Sequence, residues 1–141
     1  MDVRLTPDSI LAHAERLFAD EQYWDAIQQL EPLVRRAEGP TQARTMMLLA
    51  QAYMKNPLWT RRAEGVLQSL VHENPRHVEA HLLLAELYRA TQLPARARAM
   101  YRKVLDIQPG HDEATRALAF LDPKGEGMSP PSTFSARFRK R

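Results

Sequence analysis

The sequence predicts an all-α protein of about seven helices, arranged as stacked antiparallel pairs, on three observations. Apolar residues recur at helical spacing and nowhere alternate at period two over a useful length. Three stretches align with one another: HAERLFADEQYWDAIQQLEPL from His13, LAQAYMKNPLWTRRAEGVLQSL from Leu49 and LAELYRATQLPARARAMYRKVL from Leu84. Pro75 and Pro109 stand in corresponding places of the last two copies and mark the period of the repeat. A chain of 141 residues, 44% of them hydrophobic, has room for about one such domain.

Each copy opens with a small residue (Ala14, Ala50, Ala85) followed three places later by a larger one (Leu17, Tyr53, Tyr88). A second small residue (Ala26, Ala63, Ala97) precedes a bulky one by four places (Leu30, Leu67, Tyr101). Alanine at a helix crossing lets two backbones approach, and large residues three or four places away fill the gaps on the same face. Each pair then leaves an apolar face that only the next pair can cover.

The pattern resembles the tetratricopeptide repeat family, with its L-G-x2-Y, A-x3-F and P outline recurring at the same period as the two prolines. The resemblance covers residues 7–121. It implies a right-handed superhelical α-solenoid over 1–122, with repeats at about 7–40, 43–77 and 78–111 and a capping helix at 112–121. Copy three fits best and copy one worst. The usual early aromatic is replaced by Ile10, by Met47 or its neighbours, and by His81. Copy two has one extra residue within KNPLWT, and copy one ends with two extra residues at Glu38-Gly39-Pro40; both sit where turns belong.

Local signals place each element. Thr6-Pro7 pairs an N-cap with proline at the first helical position and starts a helix over 7–20. The second helix, 23–37, contains Pro32, which lacks an N–H and crowds the carbonyl of Gln28, so a kink is expected. A third follows over 41–54; Asn56-Pro57 starts a fourth over 58–73, and a fifth covers 77–91. Leu93-Pro94 opens the sixth, 94–107, and DEATRALAFL reads as a cap over 112–121 with Leu118 and Leu121 available for packing. From 123 to 141 the chain is a Pro/Gly/Ser-rich linker ending in ARFRKR, expected to be flexible.

Charge and composition narrow the function. Residues 1–122 carry 15 basic and 16 acidic side chains, against 5 and 1 in 123–141. A near-neutral body argues against a broad nucleic-acid-binding face. Cysteine is absent, so no disulfide, thiolate nucleophile or cysteine zinc site exists. The start MDVRLTPDSI lacks a secretory apolar stretch and no run approaches ~20 apolar residues, so the expectation is a soluble cytoplasmic protein or a piece of a larger one. Sixteen arginines against four lysines suggest a GC-rich bacterial genome.

Catalytic patterns are missing: no G-x-S-x-G, G-x-x-x-x-G-K-[ST] or G-x-G-x-x-G occurs, and Asp112-Glu113 is explained as charge at a helix N-terminus. The expectation is a non-enzyme without metal or cofactor. His77 and His81 are four apart at a helix start, a spacing that can serve a metal, yet H-E-x-x-H is absent and Glu79 is expected on another face. They read as surface and inter-helix histidines, with His13 on the packing face of the first helix and His111 before the cap.

A binding surface remains. In tetratricopeptide repeats the first helix of each pair lines the concave groove, so the resemblance implies contacts from Asp8, Leu11, Glu15, Phe18 and Ala19 in copy one. Copy two offers Arg44, Met47, Gln51, Met54 and Lys55; copy three offers Glu79, Leu82, Glu86, Arg89 and Ala90, and the cap adds Arg116 and Phe120. Arg44, Lys55, Arg89 and Arg116 would pair with acids of a bound segment, while Glu15 and Glu86 would reject like charge. The bland account is that several apolar members pad helix contacts. The carboxylate clamp by which some family members hold chaperone tails has no donors here: its places are Leu11, Glu15, Leu48, Glu79 and Leu83.

The implied function is an adaptor holding a peptide or protein segment in the groove. One alternative is binding of nucleic acid or anionic membrane by the tail, where Phe134, Arg137, Phe138, Arg139, Lys140 and Arg141 could form one amphipathic turn. A solvated basic terminus is the plain account of the same residues. The other alternative is a self-associating part of a larger assembly.

Overall fold

The structure, a computed structural model, describes residues 6–121. Among them are seven α-helices and no strand. The helices are α1 (Pro7–Ala19), α2 (Tyr23–Arg36), α3 (Gly39–Met54), α4 (Thr60–Glu73), α5 (Val78–Ala90), α6 (Pro94–Ile107) and α7 (Asp112–Leu121). A 3-10 turn, Pro57–Trp59, precedes α4. The chain divides into two compact units between Leu83 and Leu84, inside α5.

In the first unit α1 packs on α2, α2 on α3 and α3 on α4, and α1 also meets α3. Contact between the first helices of successive pairs is what stacking requires. The core holds Leu11, Ile27, Leu30, Leu33, Leu49, Leu67 and Leu70. In the second unit α7 packs on α6, and Leu84, Tyr88, Tyr101, Val104 and Leu118 are buried. All six crossing alanines, Ala14, Ala26, Ala50, Ala63, Ala85 and Ala97, are 0% exposed. Of the large residues that follow the first alanine, Tyr53 and Tyr88 are buried but Leu17 is only half-buried. The one departure falls in copy one, whose sequence fits the repeat least well.

The helix starts follow local chemistry. Thr6 Oγ1 accepts the Ser9 N–H at 3.2 Å, with Pro7 at the head of α1. Two turns are built alike. Leu17 O accepts the N–H of Gln22 and Phe18 O that of Glu21; two repeats later, Tyr88 O accepts from Leu93 and Arg89 O from Gln92. Glu21 and Gln92 both adopt a left-handed backbone, φ 63° and 62°, which closes the helix end by satisfying its last carbonyls. The extra residue of copy two replaces this turn. There Asn56 Oδ1 accepts the Leu58 N–H at 3.0 Å and starts the 3-10 turn, so α4 begins at Thr60 rather than 58.

Pro32 stands inside α2, which continues to Arg36. Pro32 and Gln28 are both exposed, so the carbonyl that loses its partner faces solvent and the helix is not ended there. Gly39 takes φ 59°, which glycine adopts without steric penalty, and α3 starts at this residue rather than at 41.

Because Ala97 has no exposed surface, Ala97→Leu should force α6 off its neighbours and cost about 1–3 kcal/mol. Thermal unfolding by circular dichroism reads this as a lowered Tm; an unchanged Tm would mean that position tolerates bulk.

Candidate functional site

Helical period brings Glu15 from α1 and Ala43, Arg44, Met47, Leu48 and Gln51 from α3 around one cleft of ≈380 Å³. His77 and Glu79, at the start of α5, complete its wall. Five expected contacts, Glu15, Arg44, Met47, Gln51 and Glu79, therefore meet in one place. The electrostatics differ from expectation, because Arg44 Nη2 donates to Glu15 Oε2 at 2.8 Å. Each neutralises the other instead of waiting for a ligand. Both ends are exposed, so the pair adds little stability and serves to fix the rim. Thr41 Oγ1 donates to Asp8 Oδ1 at 2.8 Å and ties the same two helices together. A larger hollow of ≈510 Å³ lies between α3 and α4, walled by Pro40, Met46 and Leu70 together with polar Gln42, Glu73 and Asn74.

Leu11 is not a contact. At 1% exposure it belongs to the core, on the face of α1 shared with Ala14 three places on. His13 is also displaced from expectation: it is exposed, on the opposite face of α1. Met54 and Leu82 are half-buried, Ala19 and Ala90 are exposed at helix ends, and Arg116 is exposed on α7. Phe18 turns toward the end of the first hairpin, where its ring meets Tyr23 edge-on at 5.1 Å. Lys55 Nζ lies over both rings, 5.8 Å from Phe18 and 5.5 Å from Tyr23. These residues form a separate cluster from the cleft.

In the second unit Arg89 covers the Phe120 ring at 5.6 Å, and its Nη1 donates to the Tyr101 hydroxyl at 3.4 Å. Arg89 is thus engaged within its own unit, while Phe120 keeps 73% of its surface exposed. Partial burial raises the Glu86 carboxyl above the ordinary carboxylate value; Glu113 adds to this and Arg89 opposes it.

Histidine chemistry is structural. His77 precedes α5, and its Nδ1 accepts the Ala80 N–H at 3.1 Å. His111 precedes α7 and does the same for Ala114 at 3.3 Å. The two stand one repeat apart, as Pro75 and Pro109 do, so each is a helix cap that recurs with the repeat. Glu79, expected on another face, has its Oε1 3.8 Å from His77 Nδ1, because His77 sits outside the helix and folds back over its first turn. His81 is buried, and its Nε2–H donates to Pro75 O at 3.0 Å. Among the described residues no three metal-ligating side chains gather. The sequence signal for these caps is the recurrence of His77 as His111, which the closer His77/His81 pair masks.

Tyr53 links two pairs: its hydroxyl donates to Glu31 Oε2, and Arg62 lies 5.9 Å from its ring and 3.9 Å from the same carboxylate. Burial pushes the Tyr53 hydroxyl up to about 12, Glu31 reinforces the shift, and Arg62 opposes it. The tail residues Phe134, Arg137, Phe138, Arg139, Lys140 and Arg141 lie outside the described residues.

Helix pairs packed on alanine crossings, with α1 and α3 sharing a cleft, define a helical-repeat protein. Residues 60–121 match the family model of the tetratricopeptide repeat. The match spans α4 to α7 and leaves out copy one, whose sequence fits the repeat least well. The crystal structure of MamA is similar at 21% identity and a TM-score of 0.72, over 87% of this chain and 68% of that one. A second similar structure is from Podosopora anserina, described as a putative kinesin light chain with nearly identical TPR-like repeats. It shares 23% identity at a TM-score of 0.64, over 83% of this chain and 67% of that one. The likeness is one of fold, and the chain spans about two thirds of each. No curated protein sequence matches the chain.

Leu11→Ala should lower stability by about 2–5 kcal/mol, as a buried leucine does, and urea unfolding will measure it. A loss near zero would return Leu11 to the surface. For Tyr53, a folded value above the unfolded one gives stability that is whole below pH ~10 and declines as pH rises toward ~12. Tyr53→Phe should therefore flatten the alkaline fall of the unfolding midpoint between those limits; an unaltered slope would remove Tyr53 from that fall.

Proposed function

We propose that the chain is a non-enzymatic adaptor whose first unit holds a short segment of a partner protein in the cleft between α1, α3 and the start of α5. The tetratricopeptide repeat is generally a non-enzymatic scaffold for protein partners, and this supports the class. The observation that carries the finer reading is the convergence of Glu15, Arg44, Met47 and Gln51 on one cleft of ≈380 Å³. Its size falls within the roughly 300–1,000 Å³ usual for ligand sites.

The recognition chemistry follows from the lining. Met47 offers an unbranched, polarizable side chain that fits apolar groups of varied shape. Gln51 carries both a donor and an acceptor suited to a backbone amide. With Arg44 and Glu15 paired, the rim presents little net charge at that point, and Glu79 adds a negative group on the far wall. Such a cleft favours an apolar side chain with its own backbone amides over a free carboxylate. Among the described residues no helix is long and apolar enough to cross a membrane.

A photo-cross-linking residue at position 51 should capture a partner protein, whereas one at Gln28 on the exposed face of α2 should not. Met47→Ala should weaken the captured complex by about 1–2 kcal/mol with an unchanged Tm. Capture through position 28 alone would move recognition off the cleft.

A further inference from the structure

Both tryptophans of the chain meet at one edge of the first unit. Trp24, in the first turn of α2, and Trp59, in the 3-10 turn before α4, have ring centroids 5.7 Å apart. Trp24 keeps 58% of its surface exposed, and Leu58 beside Trp59 keeps 88%. A hollow of ≈330 Å³ opens here, bounded also by Tyr23, Ile27, Lys55 and Pro57. The repeat does not require it. The corresponding turns after α1 and α5 contain no aromatic residue, and Trp24 stands where the other copies have Arg61 and Ala95. The extra residue of copy two is what builds the Pro57–Trp59 wall.

An exposed tryptophan beside a half-buried tryptophan and tyrosine around a hollow, with an arginine at hand, matches the composition of binding hot spots. We propose that this edge is a second docking site, distinct from the cleft, for a short protein segment that carries an apolar or aromatic side chain flanked by carboxylates. Charge selects the flanks. Arg62 covers the Trp59 ring at 5.2 Å but is held by Glu31 at 3.9 Å. Lys55 lies over aromatic rings only, and among the described residues it has no carboxylate partner. The hollow therefore has an aromatic wall and one uncompensated cation. A side chain between Trp24 and Tyr23 would bring a neighbouring carboxylate to Lys55, a charge-assisted contact that strengthens as water leaves.

The same charge argues against other occupants. The basic tail, with five basic and one acidic side chain over 123–141, is repelled by Lys55. A phosphate backbone would need several clustered cations, whereas the lining of this hollow supplies Lys55 alone.

Two tryptophan-free peptides with one apolar centre provide the test: acetyl-Asp-Glu-Phe-Pro-Leu-Glu-Asp-amide and its twin with lysine at all four flanking places. Each is titrated into the full chain while tryptophan emission is followed. The acidic peptide should shift the emission saturably and bind at least about tenfold tighter than the lysine twin. Lys55→Glu and Trp24→Ala should each weaken it by about tenfold or more without moving the circular dichroism melt, since both side chains are exposed. Capture through position 51 should persist in Trp24→Ala, which separates this site from the cleft. Equal binding of the two peptides, no response up to about 1 mM, or full affinity in Lys55→Glu overturns the proposal. So does preferential binding of a thymidine oligonucleotide, which would make the edge a stacking platform, or self-association abolished by Trp24→Ala, which would assign it to a second copy.

Discussion

Six alanines with no exposed surface set how closely the helices of this protein can meet. Ala14 with Ala26, Ala50 with Ala63 and Ala85 with Ala97 stand in the first and second helix of each pair. At that spacing no larger side chain fits, and the leucines and tyrosines a turn away close the remaining gaps. The constraint is local and repeated, so each pair is specified by its own few residues. Everything else depends on it, including which face of α1 and α3 is left for the cleft. Leu11 and Ala14 take the inner face of α1, and Glu15 is turned outward to meet Arg44.

Between the pairs, the turns decide what a repeat can do beyond packing. The hairpins after α1 and α5 use the same hydrogen bonds and place a left-handed residue, Glu21 or Gln92, at the same point. The connection after α3 is one residue longer and exchanges this arrangement for an Asn-started 3-10 turn, which presents Leu58 and Trp59. A helix pair tolerates such lengthening because the crossing alanines lie away from the loop. Insertion without loss of packing is how a repeat gains a surface that its neighbours lack.

Much of the architecture could be read from the chain. Alanine spacing located the pairs, and proline at Pro7 and Pro94 fixed helix starts to the residue. Two kinds of feature were hidden. A residue's face depends on where its helix sits, so Leu11, one turn from Glu15, reads as a contact until burial shows it in the core. Charged side chains choose partners by distance across helices, which a linear pattern does not contain. Arg44 and Glu15 belong to different repeats, with the whole of α2 between them in the chain, and only packing of α1 on α3 brings them together. The four-residue spacing of His77 and His81 draws attention to a metal pair, and reading both as surface and inter-helix histidines still gives His77 no task. Its actual role, capping α5 from outside, follows from the helix beginning one residue later.

The placement of the aromatic residues has a consequence for how this molecule's stability can be watched. Trp24 and Trp59 are the only tryptophans, and both belong to the unit that ends at Leu83. Tryptophan emission is therefore a local witness, blind to Leu84 onward, whereas backbone ellipticity sums over helices of both units. In a protein whose repeats owe their stability to neighbours, cooperativity is not assured along the whole chain. The gap between the two signals, if one opens on heating, would measure directly how far the two units depart from a single transition.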